Sequence, residues 1–399
     1  MRIRFVERTN PDIDRLVQIS WEARASHQDE FFRIPERDEE QVTQLINDEV
    51  ESEPYGEEIE ELPEEDGPDV DLSKFSGARP FEGESTAPLA RRLLVAVDSG
   101  IAHLGEFIGG GVAFAIRGAA VCLIEDEVIV LRYNTGPLLV DEKNRVPLFS
   151  YIGKRLGNEE LYLTRLENGD LAPNPSILAN VNQIQDRYRN FVERIIQEEA
   201  LAVLVCNGRG LFLVDGALPA GTYDTPVSYM QKMLEVAADN KIDVMAVSKK
   251  SRISVAGKPI SALFDDWPTF VGYMSLKETL TREREKYIQQ GLARRVSEIT
   301  LANELFAVRF GLGPPALTFR VDVHNSIRST PTEVLNYAVN QCQIHGCYPK
   351  PLIDAHQFSS FVYQDIQLLT ADLVARTGAR PREDSSMGWM FEPFGGFRK

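Results

Sequence analysis

Leu93-Leu94-Val95-Ala96-Val97-Asp98-Ser99-Gly100 is the stretch on which the fold turns. Five apolar residues closed by an aspartate, a small residue and a glycine read as a buried strand carrying a carboxylate to the rim of a sheet. The pattern returns at Leu211-Phe212-Leu213-Val214-Asp215-Gly216. Two such carboxylates on neighbouring strand ends make an oxygen-rich site for a hard divalent cation. A site of that kind suits phosphodiester hydrolysis.

Outward from Asp98, residues Glu106 to Ala115 and Ala119 to Tyr133 are rich in Val, Ile, Leu and Phe, with Arg117-Gly118 between them in the place of a hairpin turn. Three sequential strands of this kind predict antiparallel neighbours. From Asn174 to Ala202, Ile177, Val181, Ile184, Tyr188, Phe191, Val192 and Ile195 recur at helical spacing with charges between them, which predicts a long amphipathic helix. The Asp215 strand follows, then a helix over Ser228 to Asn240 and a strand over Ile242 to Val247 that runs out into Ser248-Lys249-Lys250. Three strands, helix, strand, helix, strand is the layout of the α/β ribonuclease H-like fold, a mixed sheet flanked by helices. Its first and fourth strands lie side by side in parallel, each ending in a metal-binding acid.

Upstream, Pro11 to Ala25 has amphipathic spacing (Ile13, Leu16, Val17, Ile19, Trp21) and predicts a short helix. Downstream, helices are expected at Leu276 to Gln290, Ala293 to Leu301, Thr332 to Cys342 and Asp354 to Ala375, with a strand at Ala316 to Val323. The tail from Met387 to Lys399 sets Trp389, Phe391, Phe394 and Phe397 among glycines, too aromatic for a free linker. Exposed aromatics mark interfaces, so Phe391, Phe394 and Phe397 are expected to bind a partner.

The net charge of −17 over 399 residues argues at first against nucleic acid, whose backbone is held by Lys and Arg. Its distribution changes that reading. Residues 37–74 hold 16 Asp or Glu against 2 Lys or Arg, a local charge of −14, and the rest of the chain is close to neutral. The run Glu57-Glu58-Ile59-Glu60-Glu61-Leu62-Pro63-Glu64-Glu65-Asp66 lacks the periodicity to fold alone and reads as a disordered insert. It is a solvated spacer or, in a sharper reading, a DNA mimic that shields a basic groove. Four domains are expected: a helical segment over 1–36, the acidic linker over 37–90, a catalytic domain over 91–375 and the aromatic tail over 376–399. No apolar run approaches the eighteen or so residues a bilayer needs, and Cys122, Cys206, Cys342 and Cys347 are too scattered for a disulfide framework. A soluble, cytoplasmic protein with reduced thiols and no membrane partner is expected.

Mg²⁺ and Mn²⁺ favour carboxylate oxygens, so Asp98 and Asp215 need at least one more acid. Glu193, Glu198 and Glu199 lie in the C-terminal half of the long helix. Glu193 sits among Phe191, Val192 and Ile196 near the inward face and is preferred over Glu198. Lys249, just past a buried strand, lies at the same rim and can meet negative charge developing on phosphate. Lys250, Arg252 and Lys258 make this the most basic short stretch of the core, and Lys250 and Arg252 are expected to contact DNA.

With these residues in place the chain resembles the NurA nucleases, which partner HerA-type hexameric DNA translocases. The resemblance is carried by Val97-Asp98-Ser99-Gly100, Leu213-Val214-Asp215-Gly216-Ala217-Leu218, Val247-Ser248-Lys249 with Ser251-Arg252, and Tyr348-Pro349-Lys350-Pro351-Leu352-Ile353-Asp354-Ala355-His356. The last is the most specific, and the four occur in the family's order over about Leu93 to Phe361. The resemblance implies metal-binding acids at Asp98, Asp215 and Glu193, the family's lysine at Lys249, its histidine at His356 as ligand or proton donor, and its tyrosine at Tyr348 beside the DNA. It further implies a manganese- or magnesium-dependent deoxyribonuclease with two ions per site. Such an enzyme degrades DNA from 5′ ends, cuts single strands internally, and works as a homodimer fed by the translocase in end processing or defence. Ser99 departs from the family's more usual Gly, and the acidic insert is unusual.

Two other readings compete. Cys342, His345, Cys347 and His356 could bind structural zinc, although their spacing matches no common finger or ribbon. The chain could also be a non-catalytic or partner-gated adaptor of a ring ATPase, against which stands a competent residue at every chemical position.

Overall fold

The structure, a computed structural model, describes residues 2–22, 31–33, 78–81, 93–108, 110–124, 127–157, 159–166, 169–173, 181–218, 226–249, 251, 254–255, 258–267, 269–276, 301–312, 317–341, 344–345 and 348–381. The acidic run 37–74, the body of the helices expected at 276–301, and the tail with Phe391, Phe394 and Phe397 lie outside the described residues, as do Lys250 and Arg252.

The chain begins with β1 (Arg2–Arg8) and α1 (Pro11–Glu22), then forms the expected antiparallel meander as β2 (Leu93–Phe107), β3 (Val112–Ile124) and β4 (Glu127–Val140). Helices α2 (Arg145–Leu156) and α3 (Val181–Asn207) lead to β5 (Gly210–Asp215), and α4 (Val227–Asp239) leads to β6 (Ile242–Ser248). β7 (Gly272–Ser275), β8 (Glu304–Arg309) and β9 (Phe319–His324) follow, then α5 (Pro331–Gln341), α6 (Lys350–Ser359) and α7 (Tyr363–Thr377).

These strands form one mixed sheet in the order β1-β4-β3-β2-β5-β6-β9-β8-β7. β2, β5 and β6 run parallel, and β9 is antiparallel to β6. The first and fourth strands of the expected layout are therefore parallel neighbours. Alternation along the strands splits the core in two. Val95, Val97, Phe212 and Val214 face α3, packing with Tyr188, Phe191, Val192 and Ile196. Leu94, Ala96, Leu211 and Leu213 face the other side, against Leu335 of α5 and Leu352 and Ala355 of α6. Phe191 and Phe212 have no exposed surface, and burying side chains of this size stabilises by roughly 2 kcal/mol each. Among the described residues no helix is long and apolar enough to cross a membrane.

Several expectations are corrected. Arg117-Gly118 is not a turn but the middle of β3, where Gly118 pairs with Ser99. A Cβ there would stand 1.9 Å from Ile196 Cδ1, so the glycine leaves the space that this rotamer of Ile196 occupies. The β2 strand does not end at Asp98; it continues to Phe107 because Ala102, Leu104 and Phe107 bury against Leu373 of α7. The helix expected over Asp354 to Ala375 is two helices. The hydroxyls of Ser359 and Ser360 donate to the His356 carbonyl at 3.0 and 2.8 Å, and Ser360 turns to extended backbone. The strands β1, β7 and β8 and the helix α2 were not foreseen.

Candidate active site

The parallel ladder between β2 and β5 ends with Val97 opposite Val214. Asp98 and Asp215 are the next residues on each strand, on the face shared with Leu94, Ala96, Leu211 and Leu213. Beyond this point β2 stays paired with β3, whereas β5 stops, and Gly216 takes φ +111°, which an L side chain rarely adopts. The Gly216 N–H donates to Val247 O at 2.9 Å, tying the turn to β6.

That tie brings Lys249 to Asp215, where its Nζ donates to Oδ2 at 2.8 Å. The Tyr348 hydroxyl stands 3.0 Å from Asp215 Oδ1 and 3.2 Å from Val247 O, with one proton to share between them. Lys249 Nζ also sits 5.1 Å from the centroid of the Tyr348 ring. Burial pushes the Asp215 carboxyl up; the Lys249 charge and hydrogen bond and the Tyr348 bond oppose it, while the Asp98 charge adds to it. Burial and the neighbouring Asp215 push the Tyr348 hydroxyl well above the ordinary tyrosine range, so it stays protonated as a donor.

Asp98 Oδ1 accepts the Ser99 N–H at 2.7 Å, and His356 Nδ1 lies 2.8 Å from Oδ2. A carboxylate only accepts, so the proton of this bond belongs to Nδ1. Helix α6 comes close enough because position 100 is glycine: a Cβ there would stand 2.6 Å from Ser359 O. Glu193 reaches the same place from α3, on the opposite face. Its Oε2 accepts the Ser99 hydroxyl at 2.7 Å, Oε1 accepts Gln197 Nε2 at 3.2 Å, and Arg194 Nη2 stands 3.6 Å away. Burial pushes Glu193 up, Arg194 opposes this, and Asp98 raises it further. Glu198 is instead held by Arg155 and by the Tyr229 hydroxyl at 2.6 Å, and Glu199 accepts from Asn10 at 2.8 Å.

Asp98, Asp215, Lys249, Tyr348 and His356 thus converge at one end of the β2–β5 junction, with Glu193 joined through Ser99. Among the described residues no three His, Cys, Asp or Glu side chains stand arranged as a ready metal cluster. The donor chemistry nevertheless fits a hard cation: burial and the Asp98 charge raise the proton affinity of both Glu193 and Asp215, a concentration of negative charge that a divalent ion would offset. Lys258 pairs instead with Asp266 at 2.7 Å. Ser99, which the sequence shows only as a departure from the family's glycine, is the residue that bonds both Asp98 and Glu193.

No family model matches this chain, and no curated protein does. Among solved structures, the NurA nuclease from Sulfolobus solfataricus is similar at 12% identity and a TM-score of 0.46, over 84% of this chain and 93% of that one. A crystal structure of NurA bound to dAMP and manganese is similar at 12% identity and a TM-score of 0.33, over 82% of this chain and 93% of that one.

Proposed function

We propose that this chain is a divalent-metal-dependent deoxyribonuclease built on a ribonuclease H-like sheet. The observation that carries the reading is the meeting of Asp98 and Asp215 at the end of their parallel ladder, with Lys249 and His356 bonded to one each. Asp98 and Asp215 would hold the cations, with Glu193 or His356 completing the donor set. When bound, Mn²⁺ or Mg²⁺, two ions per site, supplies charge neutralisation on phosphate oxygens and a lower pKa for attacking water. Lys249 Nζ, held at Asp215 and over the Tyr348 ring, is placed to meet negative charge on phosphate. Tyr348 donates to Asp215 and fixes the rotamer of that carboxylate. His356 keeps its Nδ1 proton toward Asp98, which orients the ring and leaves Nε2 as the nitrogen that would ligate a cation or, when protonated, pass a proton to a departing oxygen.

The finer features of the proposal rest on the sequence alone, chiefly on what its resemblance to the NurA nucleases implies. They are 5′-to-3′ polarity with single-strand endonuclease activity, a homodimer, DNA contacts from Lys250 and Arg252, a HerA-type ATPase bound through Phe391, Phe394 and Phe397, and a cytoplasmic role in end processing or defence. The deciding assay incubates the full chain with 5′- and 3′-labelled single- and double-stranded DNA and Mn²⁺, with and without chelator, beside Asp98→Asn. Metal-dependent cleavage lost in the variant supports the nuclease. Absence of cleavage both alone and with a HerA-type ATPase would leave the adaptor reading.

A further inference from the structure

His356 meets Asp98 across two elements more than 250 residues apart in sequence, at 2.8 Å. Arg117 stands where that meeting is set. It lies in the middle of β3, directly opposite Gly100 of β2, with its side chain 10% exposed. Nε donates to Asn134 Oδ1 of β4 at 2.8 Å. Nη1 donates to the Ser360 carbonyl at 3.0 Å and to Asp365 Oδ2 at 2.8 Å, and the guanidinium carbon is 4.4 Å from the centroid of the Phe361 ring. Of these four partners Ser360 and Phe361 lie in the junction between α6 and α7, and Asp365 lies in the first turn of α7. A guanidinium buried to this degree is costly unless its donors are matched, and its planar fork holds them in fixed directions.

The junction carries His356 with it. The Ser360 N–H donates to the His356 carbonyl at 3.0 Å, so the two residues are four apart at the end of α6, about 6 Å along its axis. Ser359 O fills the space a Cβ on Gly100 would need, and Gly100 is two residues from Asp98 on the same face of β2, about 6.6 Å away. The two spacings run side by side, so fixing Ser360 against Arg117 and Gly100 fixes His356 against Asp98.

We propose that Arg117 is a positioning residue that locks the end of α6 onto β2 and thereby sets the His356–Asp98 hydrogen bond. Its kinetic consequence rests on the nuclease reading; its structural consequence does not. The test labels the full-length chain with ¹⁵N and reads the imidazole of His356 by long-range proton–nitrogen correlation, assigned with His356→Gln. The wild-type ring is expected to be an Nδ1–H tautomer. In Arg117→Met that signature gives way to the averaged pattern of a free imidazole, and Arg117→Lys recovers part of it. If Arg117→Met does not fold, Asp365→Asn, which keeps the Ser360 contact, is expected to shift the ring in the same direction by less. On DNA with Mn²⁺, Arg117→Met is expected to lower kcat about 100-fold with KM within about twofold. Unchanged His356 signals in a folded Arg117→Met, or in Asp365→Asn, would overturn the proposal. If the wild type cleaves no DNA, the nuclease reading falls while the ring spectrum still decides the role of Arg117.

Discussion

Ser99 donates its hydroxyl to Glu193 Oε2 over 2.7 Å and its backbone N–H to Asp98 Oδ1, so one residue joins acids on the two faces of β2. Glu198, five residues on, is engaged by Arg155 and Tyr229 instead. The two glutamates should therefore separate by phenotype. Glu193→Gln is expected to lower Mn²⁺-dependent cleavage at least tenfold at an unchanged urea midpoint. Glu198→Gln should keep activity and lose about 1 kcal/mol in urea denaturation, a modest figure because the group is partly solvated. The reverse pattern would move the third acid to Glu198.

Asp98→Asn and Asp215→Asn should abolish cleavage without lowering the Tm of the metal-free protein. Burial and the Asp98 charge raise the proton affinity of Asp215 despite Lys249, so a neutral isostere relieves the folded state while removing the ligand. Calorimetry beside the cleavage assay checks both halves, and wild-type turnover in either variant would refute the assignment. Lys249→Met should slow turnover about 100-fold while leaving Mn²⁺ affinity near wild type, as for loss of a donor to developing charge.

Gly100 and Gly118 allow a direct comparison of close approaches. At Gly118 an added methyl would meet the end of the Ile196 side chain, which can change rotamer. At Gly100 it would meet the backbone of Ser359, which can yield only by moving α6. Gly118→Ala is expected to cost about 1–3 kcal/mol and to be partly rescued by Ile196→Val, whereas Gly100→Ala should also lose activity by displacing His356. A double-mutant cycle read by urea denaturation tests the first, and kcat the second. Full activity in Gly100→Ala would show that α6 can shift without consequence.

His324 gives acid sensitivity away from the site. Burial holds its pKa below the ordinary histidine value of about 6.5, against the opposing bond to the Leu301 carbonyl and the charge of Asp243. The folded protein keeps the ring neutral while the unfolded chain takes up a proton below about pH 6.5. This contribution is therefore complete above that pH and is lost as pH falls through the lower folded pKa. His324→Asn should flatten the fall in stability between about pH 7 and 5, measured by urea midpoints. An equally steep fall in the variant would assign the acid sensitivity elsewhere.

The thiols should react in order of burial. Cys122, 2% exposed in the core, has its thiol pushed up to about 12 by desolvation, whereas Cys206 is exposed at the end of α3. Peptide mapping after iodoacetamide treatment at pH 8 should find Cys206 modified in the native protein and Cys122 only after denaturation. Native modification of Cys122 would mean that β3 opens locally.

What the sequence by itself determined is the set of elements with strong local signals. Continuous apolar runs closed by Asp and a small residue, such as Leu93 to Val97 and Leu211 to Val214, read as strands buried on both faces, and the 3.6-residue spacing through Phe191 and Ile195 reads as a helix laid on them. Because a strand aims alternate residues at opposite faces, the aspartate closing each run was bound to reach the rim beside its twin once the strands paired. The motif around His356 was equally legible, since proline, leucine and the following helix are local features.

Only the tertiary structure decided where glycine means proximity. Gly118 reads as a turn in sequence because a missing side chain signals flexibility locally, yet here it is the space that Ile196 fills. The break between α6 and α7 and the different hydrogen-bond partners of Glu193 and Glu198 depend on residues far along the chain, Arg117, Ser99, Arg155 and Tyr229, and the parallel edge strand β1 depends on β4. Periodicity records which face a residue presents, but hydrogen-bond partners and close approaches exist only after the sheet has brought β2, β3, α3 and α6 together.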